Sequence, residues 1–457
     1  MSKRALRENW GKTHKKLPEV NLTQIQVDSY KDFLVNGIRL SLQELNPIKD
    51  FTGKFFQLEF SDHHLGKPKL SPKEAMEKGV NFEAPLKVTA KLTNLQTKAI
   101  QEQEIFLGDI PLMTSVGTFI INGVERVVVN QLVRSPGVFF TRELDPNSGR
   151  FLHTAEIRPL FRGSWLEFIV SRNDHISVRI DRHRKISATT LLRALGYEDD
   201  DEIRNLFKEV DTDTDHQYIE TTLLKDTSKT TNEALLEFYD KIRPGEPAVI
   251  ENARNLFHQM FFDSRRYDLG LVGRYKLNKK LGLNLPIDEN HVTLDKQDVV
   301  AAIRYIIGLQ NGRGKVDDID HLANRRVRRV GELVNQTAFR VGLLRLERSI
   351  KEKMSMAKAE DLPPASALIN PRPIIASVYE LFRLNRLSSI LEQFNPLSEI
   401  DNLRRLSVMG TGGVTRERAS FSMRDINASQ YSRICPVRSP EGQNIGLVTY
   451  LALYTRI

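Results

Sequence analysis

The chain has 457 residues, too many for one hydrophobic core, so two to four domains are expected. Its 67 basic and 58 acidic residues leave a net charge of +9, which favours a polyanionic partner, although a generic solvated basic surface has the same balance. The lone Cys435 excludes an intrachain disulfide and leaves nothing that reads as a zinc site, and no apolar run approaches the roughly eighteen residues of a membrane span. Flanked by Ile434, Pro436 and Val437, Cys435 reads as a buried structural thiol, which fits a reducing, cytoplasmic setting. The basic opening at Lys3, Arg4 and Arg7 is followed by no apolar segment, so it does not read as a secretion signal.

In chain order, residues 25–34 carry a helical spacing, and residues 55–60 and 86–92 alternate like half-buried strands. Gly-Asp-Ile-Pro-Leu-Met-Thr at 108–114, Gly-Thr-Phe-Ile-Ile-Asn-Gly at 117–123, Glu125-Arg126 and Arg-Ser-Pro-Gly-Val-Phe-Phe at 134–140 read as short strands broken by glycine turns. Asp-Pro-Asn-Ser-Gly at 145–149 is a hairpin turn signal, and residues 166–170 and 176–180 alternate like paired strands. Residues 188–195 are helical, with Gly196 as the cap. The acidic runs at 198–202 and 211–215 read as solvated loop and helix entry. This module is expected to end near Gln310.

Asn-Gly-Arg-Gly-Lys at 311–315 invites comparison with a phosphate loop, but it lacks the four-residue gap before Gly-Lys-Ser/Thr that lets backbone amides wrap a phosphate. A linker is the preferred reading. Residues 330–354 should form an amphipathic helix with a cationic face of Arg340, Arg345, Arg348, Lys351 and Lys353. From Arg313 to Lys353 there are eleven basic and six acidic residues. The block opening with Ile-Asn-Pro-Arg-Pro-Ile at 369–374 continues as a helix over 375–391 and then as loops.

Two constellations carry chemical possibilities. Asp317, Asp318 and Asp320 could suggest a two-metal site, but Arg325, Arg326, Arg328 and Arg329 follow and would pair with them. An acid–base recognition surface for phosphates and base edges is preferred, with a structural salt-bridge network as the alternative. The second comprises Asn-Pro-Leu-Ser-Glu-Ile at 395–400, Arg404-Arg405, Gly-Thr-Gly-Gly-Val at 410–414, Thr-Arg-Glu-Arg at 415–418, Arg424-Asp425 and Cys-Pro-Val-Arg-Ser-Pro-Glu-Gly-Gln-Asn-Ile-Gly-Leu at 435–447. Glycine loops flanked by arginines suit close approach to a nucleic acid. With no recognisable histidine–carboxylate catalytic pairing and no HExxH, this region reads as one that binds rather than reacts.

Together the glycine-broken strands, the Asp317 cluster and the final motifs resemble the N-terminal portion of the beta-subunit family of bacterial-type DNA-directed RNA polymerase, over effectively the whole chain. The resemblance implies a multidomain α+β fold of mixed sheets and helices. Residues 1–132 and 311–375 would form the protrusion, 133–310 the lobe and 376–457 the fork region. Arg134, Trp165, Ile319, Asp320, Arg325, Val414 and Met423 would form the pocket for the unpaired non-template DNA strand. Trp165 would stack a base and Asp320 would accept hydrogen bonds from a guanine edge. Gly410, Gly412, Gly413, Arg416 and Arg418 would belong to the strand-separating fork loop, and Glu441 would lie near the active centre.

The family's rifamycin pocket beside the nascent RNA maps onto Arg126, Val129, residues 387–392, Asn402, Arg405, Ser407 and Met409. Here Ser389 stands for a glutamine, Ile390 for a phenylalanine, Glu392 for an aspartate and Asn402 for a histidine. Loss of the drug's hydrogen bonds, each worth on the order of 1 kcal/mol, implies low rifamycin sensitivity. The implied partners are DNA, RNA, the beta-prime, alpha, omega and sigma subunits and the remainder of the beta subunit. Catalytic magnesium would be held by beta-prime, so no catalytic or metal-binding residue is assigned, and this segment alone is expected not to polymerise RNA. The stop at Ile457 reads as a portion of a longer subunit or one half of a split one. A stand-alone nucleic-acid-binding protein is the alternative, and a nuclease built on Asp317, Asp318 and Asp320 a weaker one.

Overall fold

Helices and mostly antiparallel sheets, one of them mixed, alternate along the chain in the computed structural model, which describes residues 20–181, 183–357 and 363–457; Lys3, Arg4 and Arg7 lie outside the described residues. This α+β arrangement divides into two compact units. The first comprises the chain up to Gln131 with Val327–Ser420 and Gln430–Ile457, and the second Leu132–Arg326 with Phe421–Ser429. The division falls after Arg326 rather than after residue 310, because the intervening segment is tied into the second unit. Asp317 accepts from the Phe140 N–H at 2.9 Å and pairs with Lys280 at 2.7 Å. Residues 376–420 and 430–457 fall within the first unit.

The first unit is built on a four-stranded antiparallel meander of Ile48–Lys49, Phe56–Leu65, Glu83–Asn94 and Ile100–Pro111. Strand Glu83–Asn94 alternates buried and half-buried residues along its whole length, the signature of a sheet with one face in the core. Against it pack Ile38–Leu45, Arg372–Leu384 and the helical run 330–356 in one apolar cluster that includes Phe56, Leu86, Phe119, Phe339 and Phe382. Gln26, fully buried, donates to the carbonyls of Val128 and Leu403 and so ties the start of the described chain to a strand 102 residues on and a helix 377 residues on.

Two expectations change here. The run 330–356 is helical but widens into a π-turn at Asn335–Phe339, and its cations are partnered. Arg340 pairs with Glu44, Lys351 with Glu347 and Arg348 with Glu352, while Arg345 donates to Ser377 and Lys353 to the Ala367 carbonyl. The cationic face is therefore substantially neutralised within its own unit. The helix expected over 375–391 stops at Leu384, since Ser388–Ile390 is captured as a strand opposite Val124–Val128. Cys435 is half-buried rather than buried, its sulfur accepting from the Arg438 N–H.

The second unit carries a five-stranded antiparallel sheet in the order Ile186–Ser187, Ile176–Ile180, Leu166–Val170, Phe151–Arg158, Gly137–Leu144. Asp145 closes the last hairpin by accepting from Ser148 and, through its carbonyl, from the Gly149 N–H. Helices Gly270–Leu281 and Lys296–Gln310 pack against this hairpin. Two buried ion pairs fasten the helices. Arg193, 1% exposed, binds Asp226 and Asp200, and Arg274 binds Asp298 through two 2.8 Å hydrogen bonds. The acidic runs thus serve as more than solvated loop: Asp200 meets a buried arginine, and Asp211 caps helix Tyr218–Leu224 by accepting from the Tyr218 and Ile219 N–H groups.

Candidate nucleic-acid interface

In the hairpin of the second unit, Glu156 and Arg158 are two residues apart on one strand and so share a face, the one opposite Phe140 and Ala155. The Glu156 carboxylate accepts from Arg134 at 2.7 Å and from Arg158 at 2.6 Å. One carboxylate between two guanidinium groups leaves the cluster positive. The Arg158 guanidinium also lies 4.1 Å from the ring centroid of Trp165, a cation–π contact. Trp165 is anchored through its backbone: its N–H donates to the Asp181 carboxylate at 2.7 Å and its carbonyl accepts from the Asp181 N–H. The ring, half-buried, thus stands at the entry of strand Leu166–Val170 with one face taken by Arg158.

Asp320 and Arg325 join this group. Burial, followed by the nearby charge of Arg158, pushes the Arg134 pKa down, and Glu156 and Asp320 oppose the shift. Burial likewise lowers the pKa of Arg325, opposed by Asp320 and Asp318. A guanidinium stays charged at neutral pH, so both arginines are partly desolvated cations, for which an incoming phosphate or base-edge acceptor is a favourable partner. Of the expected pocket, Arg134, Trp165, Asp320 and Arg325 are therefore brought together in one unit. Ile319, beside Asp320, is half-buried. Met423 lies in the same unit, in Phe421–Arg424, whose following segment returns to the Asp318 loop: Asn427 donates to Asp318 at 2.8 Å and Ser429 accepts from the Leu322 N–H. Val414 belongs to the first unit.

The clustered carboxylates do not act as a set. Asp317 is engaged by Lys280 and the Phe140 N–H, and Asp318 accepts from Asn427 and the Asp320 N–H. Burial opposes ionisation of Asp318, but those hydrogen bonds hold its carboxyl below the usual range. Among the described residues no three histidine, cysteine or acidic side chains are grouped to hold a metal. The arginines also divide: Arg326 stacks 5.1 Å from the Phe161 centroid, whereas Arg328, in the first unit, binds Glu332 and Gln131. For Asp317 and Arg328 the structural salt-bridge reading holds. Glu156 and Arg158 went unremarked in the sequence; their alternate spacing on a strand that follows a turn signal was the clue available.

In the first unit, Gly410 and Gly412 adopt φ of +102° and +76°, a left-handed backbone open to glycine. The tight loop they form is held by Gln131, whose side-chain amide donates to the carbonyls of Met409 and Thr411, and by Arg328, which donates to Gln131 and Thr411. Beyond it Arg416 donates to Asn444 at 2.8 Å, while the side chains of Arg416 and Arg418 are exposed. Exposed Glu441 precedes a short turn at Gly442–Asn444.

The remaining candidates surround two strand pairings. Ser389 and Ile390 lie opposite Val127 and Arg126, and Val129 is buried beside them with its N–H bound to the Leu387 carbonyl. Strand Arg405–Ser407 runs parallel to Asn130–Gln131 and antiparallel to Val448–Tyr450. Arg405 pairs with Glu392 at 2.6 Å and stacks on Tyr450. Burial works against its charge, but Glu392 and Tyr450 raise its pKa on balance. Ser407 is buried and accepts from the Met409 N–H. Asn402 is 1% exposed, with neither amide atom hydrogen-bonded among the described residues, so it presents no polar atom to a ligand in this conformation.

Comparison with known proteins identifies the family. The family model for RNA polymerase Rpb2, domain 2, matches residues 134–328, and that for Rpb2, domain 3, matches residues 389–457. The chain is 50% identical over 437 residues to a DNA-directed RNA polymerase subunit beta of Syntrophomonas wolfei, covering 96% of this chain and 38% of the relative. It is 49% identical over 453 residues to the same subunit of Dehalococcoides mccartyi, covering 98% of this chain and 35% of the relative. The chain thus spans little more than a third of the length of the curated relatives it matches. With two models of one family covering more than half of its residues, and half of its positions identical to named beta subunits across nearly its whole length, the chain belongs to the RNA polymerase beta-subunit (Rpb2) family.

Proposed function

We propose that this chain forms part of the beta subunit of a DNA-dependent RNA polymerase and builds one wall of its nucleic-acid cleft. The observation that carries the reading is the cationic cluster of Arg134, Glu156, Arg158, Trp165, Asp320 and Arg325, which combines an anchored aromatic ring with partly desolvated guanidinium groups. Arginines there neutralise backbone phosphates of a non-template single strand, and Trp165 stacks a base. Asp320 supplies an acceptor for a guanine edge. Ile319 and Met423, in the same unit, complete that pocket.

In the first unit, the loop at Gly410–Gly413 with Arg416 and Arg418 keeps the strands apart. The surface of Arg126, Val129, Ser389, Ile390, Glu392, Asn402, Arg405, Ser407 and Met409 faces nascent RNA, and Glu441 lies toward the active centre. Nucleotidyl transfer itself uses magnesium held by beta-prime. The working complex includes the alpha, omega and sigma subunits and the remainder of beta, in the cytoplasm. Among the described residues no helix is long and apolar enough to cross a membrane.

Fluorescence anisotropy with a single-stranded DNA oligonucleotide tests the cluster. Trp165→Ala is expected to weaken binding by about 5- to 150-fold, the equivalent of one lost base stack of about 1–3 kcal/mol. Arg134→Ala should weaken binding irrespective of sequence and lower the salt slope by about one. Unchanged affinity and slope in both variants would remove the cluster from the DNA path.

A further inference from the structure

The other face of the hairpin in the second unit poses a separate question. Its inward row is apolar where it meets the core, with Val138 and Phe140 opposite Ile157 and Ala155. Toward the turn the same row becomes cationic, with Arg142 opposite His153. At that point helix Lys296–Gln310 ends, and the space beyond it is an open cavity of about 620 Å³, bounded on its far side by Gly312, Gly314 and Lys315. A cavity lined by Arg142, Arg150, Lys315, His153 and His216, and by no acidic side chain, is an unusual end for a core.

The lining is held in place rather than loosely displayed. Asp174 fixes Arg150 at 3.1 Å and His216 at 2.9 Å, and Tyr218 accepts a second hydrogen bond from Arg150. On the opposite wall the Tyr305 hydroxyl is bonded to both the N–H and the carbonyl of Lys315, while Asp317 binds the hairpin at Phe140. Arg142 and Lys315 have no carboxylate partner among the described residues, and Arg142 lies 4.7 Å from the Phe151 centroid. His153 is 8% exposed and sits against the Gln310 side chain; burial lowers its pKa, while the hydrogen bond with Gln310 favours the protonated ring. Fixed cations that converge on one cavity with no carboxylate in its wall are a favourable seat for an anion.

We propose that this cavity binds a small phosphorylated ligand of nucleotide size, with Arg142, Arg150 and Lys315 gripping its phosphate oxygens. Forked guanidinium groups suit phosphate geometry, a lysine adds a point charge, and Phe151 and Tyr218 offer aromatic walls for a non-phosphate portion. The site goes beyond the polymerase reading and does not depend on it, since none of its lining residues belongs to the DNA-facing cluster.

Isothermal titration of the 457-residue chain with inorganic pyrophosphate, beside Arg142→Ser and Lys315→Ser variants, tests the assignment. Both substitutions are at positions without ion pairs, and near-ultraviolet circular dichroism checks that the variants remain folded. The expected result is saturable binding weakened about tenfold or more by each substitution, the loss of one charge-assisted contact. ATP competing for the same heat would place a nucleotide there. No saturable binding, or binding that both variants retain in full, would overturn the proposal. So would a site that answers only to a DNA oligonucleotide and not to pyrophosphate.

Discussion

Replacing Arg274 by methionine is expected to destabilise the second unit by about 3–5 kcal/mol, the cost of leaving a buried charge without its partner. Arg274 and Asp298 are both within 1% of complete burial, and the guanidinium donates two 2.8 Å bonds to that carboxylate while its Nε donates to the His291 carbonyl and its Nη2 to that of Thr293. Removing it strands Asp298 and two carbonyls together. Hydrogen exchange on strand Leu166–Val170 reads the effect, because its amides open with the unit: protection should fall by about a hundredfold to a few thousandfold. Adding Asp298→Leu to Arg274→Met should recover part of the loss, since an apolar pair is cheaper to bury than a lone carboxylate. Recovery will be incomplete because Asp298 also accepts from the Asp295 N–H as part of the helix cap, a contact worth about 1 kcal/mol. Equal stability of Arg274→Met and the parent would show that the pair is not holding the helices.

Gly413→Ala is expected to open the tight loop of the first unit while leaving the unit folded. A Cβ built there would lie 2.3 Å from the Val408 carbonyl oxygen, 2.9 Å from the Gln131 side-chain nitrogen and 3.1 Å from the Met409 carbonyl carbon. Two of those three are backbone, which cannot step aside. The loop must surrender the Gly413 N–H to Gly410 bond and the Val414 N–H to Val408 bond. Overpacking of this kind costs about 1–3 kcal/mol, and because residues 411–413 are exposed, the strain is released by local opening. Exchange protection of the Gly413 and Val414 amides should drop by about 5- to 150-fold with little change in the meander strands. Gly412→Ala gives the contrast: its nearest neighbour is Arg328 at 3.6 Å, so only the left-handed backbone, about 1 kcal/mol, opposes it. If the two alanines behave alike, close packing against Val408 and Gln131 is not what sets the loop.

The residues differ in how far they announced these roles. Strands 166–170 and 176–180 are legible because alternation in half-buried sheet is written directly in residue order, and the Asp145–Gly149 turn joins the strands it signals. Helix 375–391 is misjudged because Ser388–Ile390 owes its conformation to Val124–Val128, more than 250 residues earlier, and local periodicity carries no trace of a distant register. The same limit applies to charge. The cationic side chains of 330–356 look like an interaction surface until Glu44 and Ser377 are seen beside them, and Asp317 looks like a site residue until Lys280 is. Motif resemblance reached Arg134, Trp165, Asp320 and Arg325. It passed over Glu156 and Arg158, the pair that joins them, because a glutamate and an arginine on a strand have no motif of their own.

The division of the chain also bears on the order in which it becomes structured during synthesis. All but nine residues of the second unit are contiguous, so its sheet and helices can assemble as soon as Arg326 has emerged from the ribosome. The first unit has no such freedom. Its early strands must wait with apolar faces uncovered until the helices of 330–356 and Arg372–Leu384 arrive, and Gln26 finds its last acceptor 377 residues later. Prior compaction of the second unit shortens that wait, because a folded insert brings Gln131 and Val327 together and spares much of the loop-closure entropy that an unstructured stretch of the same length would cost.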